Sequence, residues 1–306
     1  MHSINVEEYL AAHESRQIRS GKSGAEVWEI EGKYVLKYVQ RAKLSEPGAF
    51  ERYQNEAHFY QFMDQGSLGE RLSCIPEVLK VQVSNDEILI LMKKYQELSR
   101  DLVSEELLRK IMRALAVVHT REIPGFLKQE QRQPGYLTSE QIQECATGWR
   151  TVLEEHPGAF DKGILTETAD RINEIIGWHN GEAQVLSHGD FHWDNLLRRE
   201  GGDIIICDWQ GVNAGGASGD ISFFLSRLGA DGIALEPQKA VELYCNERLQ
   251  LTGENISQDE MLNHMNAANT ITSFQFWHQY LHGSACGRVR EIYEKMAVAA
   301  DFSNYM

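Results

Sequence analysis

The chain has 306 residues, 42% of them hydrophobic and 25% charged, with only six prolines; this excludes wholesale disorder and is long enough for two lobes with a cleft between them. Asp and Glu (45) outnumber Lys and Arg (30), and the net charge of −15 makes nucleic acid and anionic lipid poor partners while it would draw in a cationic small molecule. The five cysteines are odd in number and never spaced C-x-x-C, and neither a basic-then-apolar leader nor a long apolar run occurs, so we expect a reducing cytoplasm, no disulfide framework and no membrane span.

No repeat or low-complexity tract is present, so organisation is read from changes in hydrophobic rhythm. A glycine-containing loop, SGKSG at 20–24, precedes two strands within 17–40, AEVWEI and KYVLKYV, which meet at an EGK turn. The stretch 46–66 has helical spacing, with Ala49, Tyr53, Tyr60 and Met63 on one stripe and Gly66 as a stop signal. Two further strands flank a Ser-Asn-Asp turn within 76–95. From about residue 104 the rhythm turns helical: Ser104 opens a Ser-x-x-Glu-like cap, and Leu108, Ile111, Met112 and Leu115 share a face. Helices are expected near 138–155, 165–179, 237–250, 257–282 and 288–300, interrupted at 184–209 by short apolar runs that flank REGGD as a hairpin. The expectation is an α+β fold, with a small N-terminal antiparallel sheet plus one helix in 1–95 and a larger, mainly helical lobe in 96–306.

The decamer LSHGDFHWDN, 186–195, concentrates the chemistry. His188 and His192 are four apart, as in helical zinc pairs, but Gly189 follows the first and no H-E-x-x-H occurs. Ser187 is not framed by glycines as a nucleophile elbow requires. A carboxylate reading fits better: Asp190, Asn195 and then Asp208, after the apolar run DIIIC, form a phosphoryl-transfer layout. One carboxylate orients and deprotonates a hydroxyl, while an amide oxygen and a second carboxylate hold Mg2+, a hard ion that bridges nucleotide phosphates. Any one of these residues alone would be an ordinary capped turn; the full spacing on a strand-turn-strand is specific.

HGDFHWDN followed by IICDWQG resembles the catalytic loop and metal-binding segment of the aminoglycoside phosphotransferase family, small-molecule kinases with a protein-kinase-like fold. The resemblance implies a bilobal fold, ATP and Mg2+ as cofactors, a base at Asp190 and metal ligands at Asn195 and Asp208. His188-Gly189-Asp190 and Asp208-Trp209-Gln210 stand where protein kinases carry H-R-D and D-F-G, which argues against protein substrates. The implied acceptor is a small-molecule hydroxyl on an aminoglycoside or other cationic antibiotic, with choline, a sugar or an amino alcohol as the alternative. A kinase-like binding module without catalysis would show damage at the base, magnesium or lysine positions, and none is damaged.

Such a kinase also needs a lysine on its third strand to neutralise phosphates and a helical glutamate to hold it. Lys37 lies among strand-forming apolar residues, and Glu56 interrupts the Tyr53–Tyr60 stripe; either alone would be read as snorkelling outward, but two misplaced opposite charges favour pairing. Glu51, the rival partner, points away from that stripe. Ser23 and Gly24, with Gly21 and Lys22, would form the phosphate-covering turn. The Gly-Lys-Ser within it is no P-loop, because Arg16 stands where the first glycine is required and a strand follows. Backbone groups from Met92 to Tyr95 would meet the adenine edge. His192 is read as a loop brace, Trp193 as packing, and Asp220 as a helix N-cap or a support of the catalytic loop. Asp231, Glu236, Asp259, Glu260 and Trp277 are candidates for holding the acceptor.

Overall fold

The computed structural model describes residues 4–20, 24–65, 72–100, 103–127 and 135–298. Its N-terminal part is a five-stranded antiparallel sheet of β1 (Ser15–Ser20), β2 (Glu26–Ile30), β3 (Tyr34–Gln40), β4 (Val78–Val83) and β5 (Glu87–Lys93), in the order β1-β2-β3-β5-β4. Strand alternation sorts the side chains onto two faces. Val35, Val39, Ile88, Ile90 and Met92 face α2 (Ala49–Gln65), whereas Leu36, Leu89 and Leu91 pack with Val6, Tyr9 and Leu10 of α1 (Val6–Ala12). Burial on both faces explains why β5 reads as an unbroken apolar run. The expected sheet thus gains an edge strand, β1, and a second helix, α1. Both were hidden because SRQIRS is mostly polar, as befits a sheet edge, and α1 has only seven residues.

The C-terminal part is helical: α3 (Glu105–His119), α4 (Ser139–Glu154), α5 (Lys162–His179), α6 (Ala217–Ala230), α7 (Pro237–Thr252), α8 (Gln258–Phe276) and α9 (Cys286–Val298). Ser104 does cap α3, accepting from Leu107 N at 3.2 Å. The third helical position is Leu107 rather than a glutamate, so only half of a capping box forms there; the complete box is Thr138–Gln141 at α4. The apolar face read on α3 is buried.

Between α5 and α6 the chain makes short strands. β8 (Leu196–Arg198) and β9 (Ile204–Ile206) form the expected hairpin, joined on its other edge by β6 (Gln96–Glu97). β7 (Gln184–Ser187) pairs instead with β10 (Asn213–Gly216), a strand of Asn, Ala and two glycines that looks like loop in sequence. One hydrophobic cluster spans both parts, and each part keeps a smaller cluster of its own. Phe59 of α2 stacks on Trp209, with centroids 4.1 Å apart, and locks the sheet's helix onto the segment that carries Asp208. No helix among the described residues is long and apolar enough to cross a membrane.

Candidate active site

Lys37 lies on β3 between Val27 of β2 and Ile90 of β5, on the face turned to α2. A lysine there is tolerable only if paired. Its Nζ donates to Glu56 Oε2 at 2.7 Å and to Asp208 Oδ1 at 2.6 Å, and it sits 4.9 Å from the Tyr53 ring centroid. Burial opposes Lys37's charge, but the carboxylates of Asp208 and Glu56 hold its proton well above the ordinary value. Asp208 is likewise pushed up by burial and pulled further down by the Lys37 ammonium, so it stays ionised. Glu56 is fully buried, and burial, together with the neighbouring Asp208 carboxylate, lifts its proton affinity despite Lys37. Glu51 takes no part, pairing at the surface with Arg41.

Asp208 adopts a left-handed backbone, φ 63° and ψ 65°, a strained conformation for a non-glycine residue that costs on the order of 1–3 kcal/mol. The strain is held by the neighbours: Cys207 N donates to Asn195 O, His188 Nε2 donates to Cys207 O, and Trp209 is buried.

The loop that follows β7 is built around Asp220, in the first turn of α6. Gly216 occupies the N-cap position, so Asp220 is not the cap. Its Oδ2 accepts from Ser187 Oγ (3.0 Å), His188 N (2.8 Å) and His119 Nε2 (3.1 Å), and its Oδ1 accepts from Gly189 N (2.9 Å). Burial raises the Asp220 carboxyl, but His119 and the loop amides more than offset this and hold it below its ordinary value. Gly189 has φ +73°, and a Cβ there would lie 2.1 Å from Gly211 O, so glycine is required at that close approach.

His188 donates from Nε2 and accepts the Asp190 amide at Nδ1 (3.2 Å), which leaves neither nitrogen for a metal. A zinc pair with His192 is therefore ruled out. His192 braces the loop, accepting from Asp194 N at 3.3 Å, and Trp193 is buried with its Nε1 donating to Leu98 O.

Asn195 Nδ2 donates to Asp190 O (2.9 Å) and approaches Asp190 Oδ2 (3.4 Å). No donor among the described residues meets its Oδ1. Asp190 is about a third exposed and Asn195 nearly buried. The loop thus presents one accessible carboxylate and one open amide oxygen, and a third of the Asp208 side chain is also exposed. These oxygen donors suit a hard divalent cation.

The remaining candidates are placed less tidily. Gly24, with φ +87°, lies in the connection between the paired ends of β1 and β2; Ser23, Lys22 and Gly21 lie outside the described residues. Met92 is buried in the core between Val35 and Val78. The Tyr95 hydroxyl accepts from Glu77 N (3.0 Å), and its ring lies 5.6 Å from the Arg199 guanidinium. The amides of Lys93 and Lys94 are already bonded to Glu77 O and Lys33 O. Asp231 is neutralised by Arg100 (3.0 Å), Arg288 covers Trp277, and Glu236, Asp259 and Glu260 stand exposed, so the structure does not gather these into a site. A cavity of about 900 Å³ runs along the sheet edge at β4, between Ile4, Tyr38, Gln61 and Gln82, and none of the residues named for catalysis lines it.

Sequence reasoning missed His119 and Phe223. His119 ends an apolar helix and joins Asp220 to Tyr244, which in turn accepts from Arg248. Phe223 is 40% exposed beside the His192 ring, 6.0 Å between centroids.

A family model described as "Phosphotransferase enzyme family" matches residues 14–250, and the chain belongs to that family of phosphotransferases. Among solved structures, an aminoglycoside phosphotransferase, APH(2'')-Ib with ADP bound, is 15% identical over 97% of this chain and 96% of its own, with a TM-score of 0.55. An ethanolamine kinase from Plasmodium vivax is 12% identical over 96% and 83%, with the same TM-score. Spectinomycin phosphotransferase, APH(9)-Ia, in complex with ADP and spectinomycin, is 13% identical over 95% and 92%, again at 0.55. At these identities the likeness establishes the fold. A search of curated protein sequences returned no match.

Proposed function

We propose that the protein moves the γ-phosphoryl group of ATP to a hydroxyl of a small cationic acceptor, an aminoglycoside or related antibiotic. One observation carries this reading: the Lys37–Glu56–Asp208 cluster is tied through Cys207 and Asn195 to a loop that offers the Asp190 carboxylate. Asp190 orients the acceptor hydroxyl and takes its proton as the new P–O bond forms and the bond to the leaving diphosphate breaks. Lys37 offsets charge on the phosphate oxygens while Glu56 holds the ammonium in place. Asn195 and Asp208 would hold Mg2+, which would supply charge neutralisation to the phosphates. Gly24 and Ser23 would cover the phosphates, and the segment from Met92 to Tyr95 would meet the base through backbone groups other than Lys93 N and Lys94 N, which already donate to Glu77 O and Lys33 O. On this reading, residues 1–95 hold nucleotide and 96–306 hold catalysis and acceptor.

The acceptor assignment draws on the acidic chain and on the ligands named for the neighbours. The kinase of Plasmodium vivax named for ethanolamine favours a second reading, a metabolic amino alcohol. A cytoplasmic setting is supported by the five cysteines, all free. Incubating the protein with ATP, Mg2+ and a panel of aminoglycosides, spectinomycin, ethanolamine and choline, and reading ADP release with product mass, tests the proposal. An acceptor gaining one phosphoryl group supports it, and its identity separates the two readings; ADP release without any phosphorylated acceptor defeats both.

A further inference from the structure

Behind the catalytic loop, where α5 ends and the chain turns into β7, two imidazoles and a carboxylate converge. One ligand atom each from His179, Glu182 and His264 lies within 4.8 Å of the others. We propose that this cluster binds a divalent transition-metal ion, Zn2+ by the chemistry of its donors.

Two histidines and one glutamate are a zinc donor set that leaves a fourth position for water. The rings are prepared for it. Nδ1 of His179 and Nδ1 of His264 are buried without a hydrogen-bond partner, and His264 is only 5% exposed. A structural histidine pair would spend those atoms on neighbouring groups. His264 is held flat against Trp178, with centroids 3.8 Å apart and planes 21° apart, which fixes its direction.

Glu182 is oriented as metal-bound carboxylates are: Ser218 N donates to Oε1 (2.9 Å) and Ser218 Oγ to Oε2 (2.5 Å). Each oxygen keeps a second lone pair. A Cβ on Gly216 would lie 1.9 Å from Glu182 Oε2, so glycine there makes room for the carboxylate. His179 and Glu182 are only half-buried, which leaves an entry route.

The ion would staple three segments: the end of α5, the turn into β7, and α8. Ser218 precedes Asp220 by two residues on α6, so the staple stands directly behind the carboxylate that holds the catalytic loop. Its role is positional.

The test is a titration of chelator-stripped full-length protein with Zn2+ alone, without nucleotide, against a chromogenic competitor. One tightly bound equivalent is expected, with a raised Tm. Ser218→Ala should weaken Zn2+ binding by about 10–100-fold and His264→Gln by more, while Asp208→Asn leaves it unchanged. Absence of a stoichiometric ion, or equal binding by His264→Gln, overturns the proposal. Should that variant not fold, ring resonances of the wild-type protein decide: zinc must shift those of His179 and His264 and spare His188, and the reverse pattern is equally fatal.

Discussion

Two buried charge clusters stand side by side in this protein, and they differ in how completely they are satisfied. Around Asp220, one carboxylate receives four donors, and a line of hydrogen bonds continues through His119 and Tyr244 to Arg248. Around Lys37, two carboxylates share one ammonium and a third of the Asp208 side chain remains open. A closed network rigidifies what it holds, because every alternative arrangement loses a bond in a low-dielectric setting. An open one with surplus negative charge is receptive to a cation and to the phosphates that accompany it. The first positions; the second is available for chemistry.

The sharpest way to break this contrast is at Asp190, whose amide is held by His188 and whose carbonyl is held by Asn195. Asp190→Asn should lower kcat by about 10²–10⁴-fold while ATP affinity stays unchanged, measured by steady-state kinetics and calorimetry. Near-normal turnover would place the base elsewhere and remove the reason for the loop's rigidity. Next comes Asp220→Ala, which leaves the donors of Ser187, His188, Gly189 and His119 buried without an acceptor. We expect a loss of about 3–5 kcal/mol by denaturant unfolding.

The same carboxylate sets a pH dependence. Its folded pKa lies below the unfolded value of about 3.9, so its stabilisation is complete above that value and is lost as pH falls through the lower, folded one. The stability gap between wild type and Asp220→Asn should therefore hold constant from pH 8 to pH 5, on the order of the bonds lost, and narrow only below about pH 4. A gap that already closes at pH 6 would mean that a histidine, not Asp220, carries the effect.

At the open cluster the expectation differs in kind. Lys37→Met strands two carboxylates and should cost about 3 kcal/mol, but adding Glu56→Leu removes one of them and should recover most of the stability without recovering activity. A functional cluster can be exchanged for an apolar one at little loss of stability; a positional one cannot. If the double variant is as unstable as the single one, the distinction between the two clusters fails.

What could be read from sequence follows the same division. That Asp190 and Asn195 meet in one loop joined to the Asp208 segment was legible from their spacing on a strand-turn-strand, and the pairing of Lys37 with Glu56 because a charge amid an apolar strand or stripe violates its local pattern. His119 violated nothing: a histidine at a helix C-terminus is ordinary, and its partner is 101 residues away. β10 was invisible because two glycines and an alanine have no strand propensity; β7 imposes its pairing from outside. α1 and β1 were lost for lack of length and of apolar alternation, and their place is settled by packing and pairing with other strands. The cluster at His179, Glu182 and His264 comes from segments that only the tertiary fold brings together.

At Tyr95 backbone and side chain can be given different tasks, and the smallest expected effect separates them. The sequence reading places its backbone at the adenine edge, while its side chain is engaged elsewhere: the hydroxyl holds Glu77 N and the ring lies against Arg199, which ties the stretch after β5 to the start of β4. Tyr95→Phe removes one neutral hydrogen bond and should cost about 1 kcal/mol of stability. If nucleotide is met through the backbone alone, ATP affinity should not change in the same variant. A fall in affinity larger than the fall in stability would show that the hydroxyl reaches the nucleotide, and the stretch after β5 would then belong with the open cluster rather than the closed one.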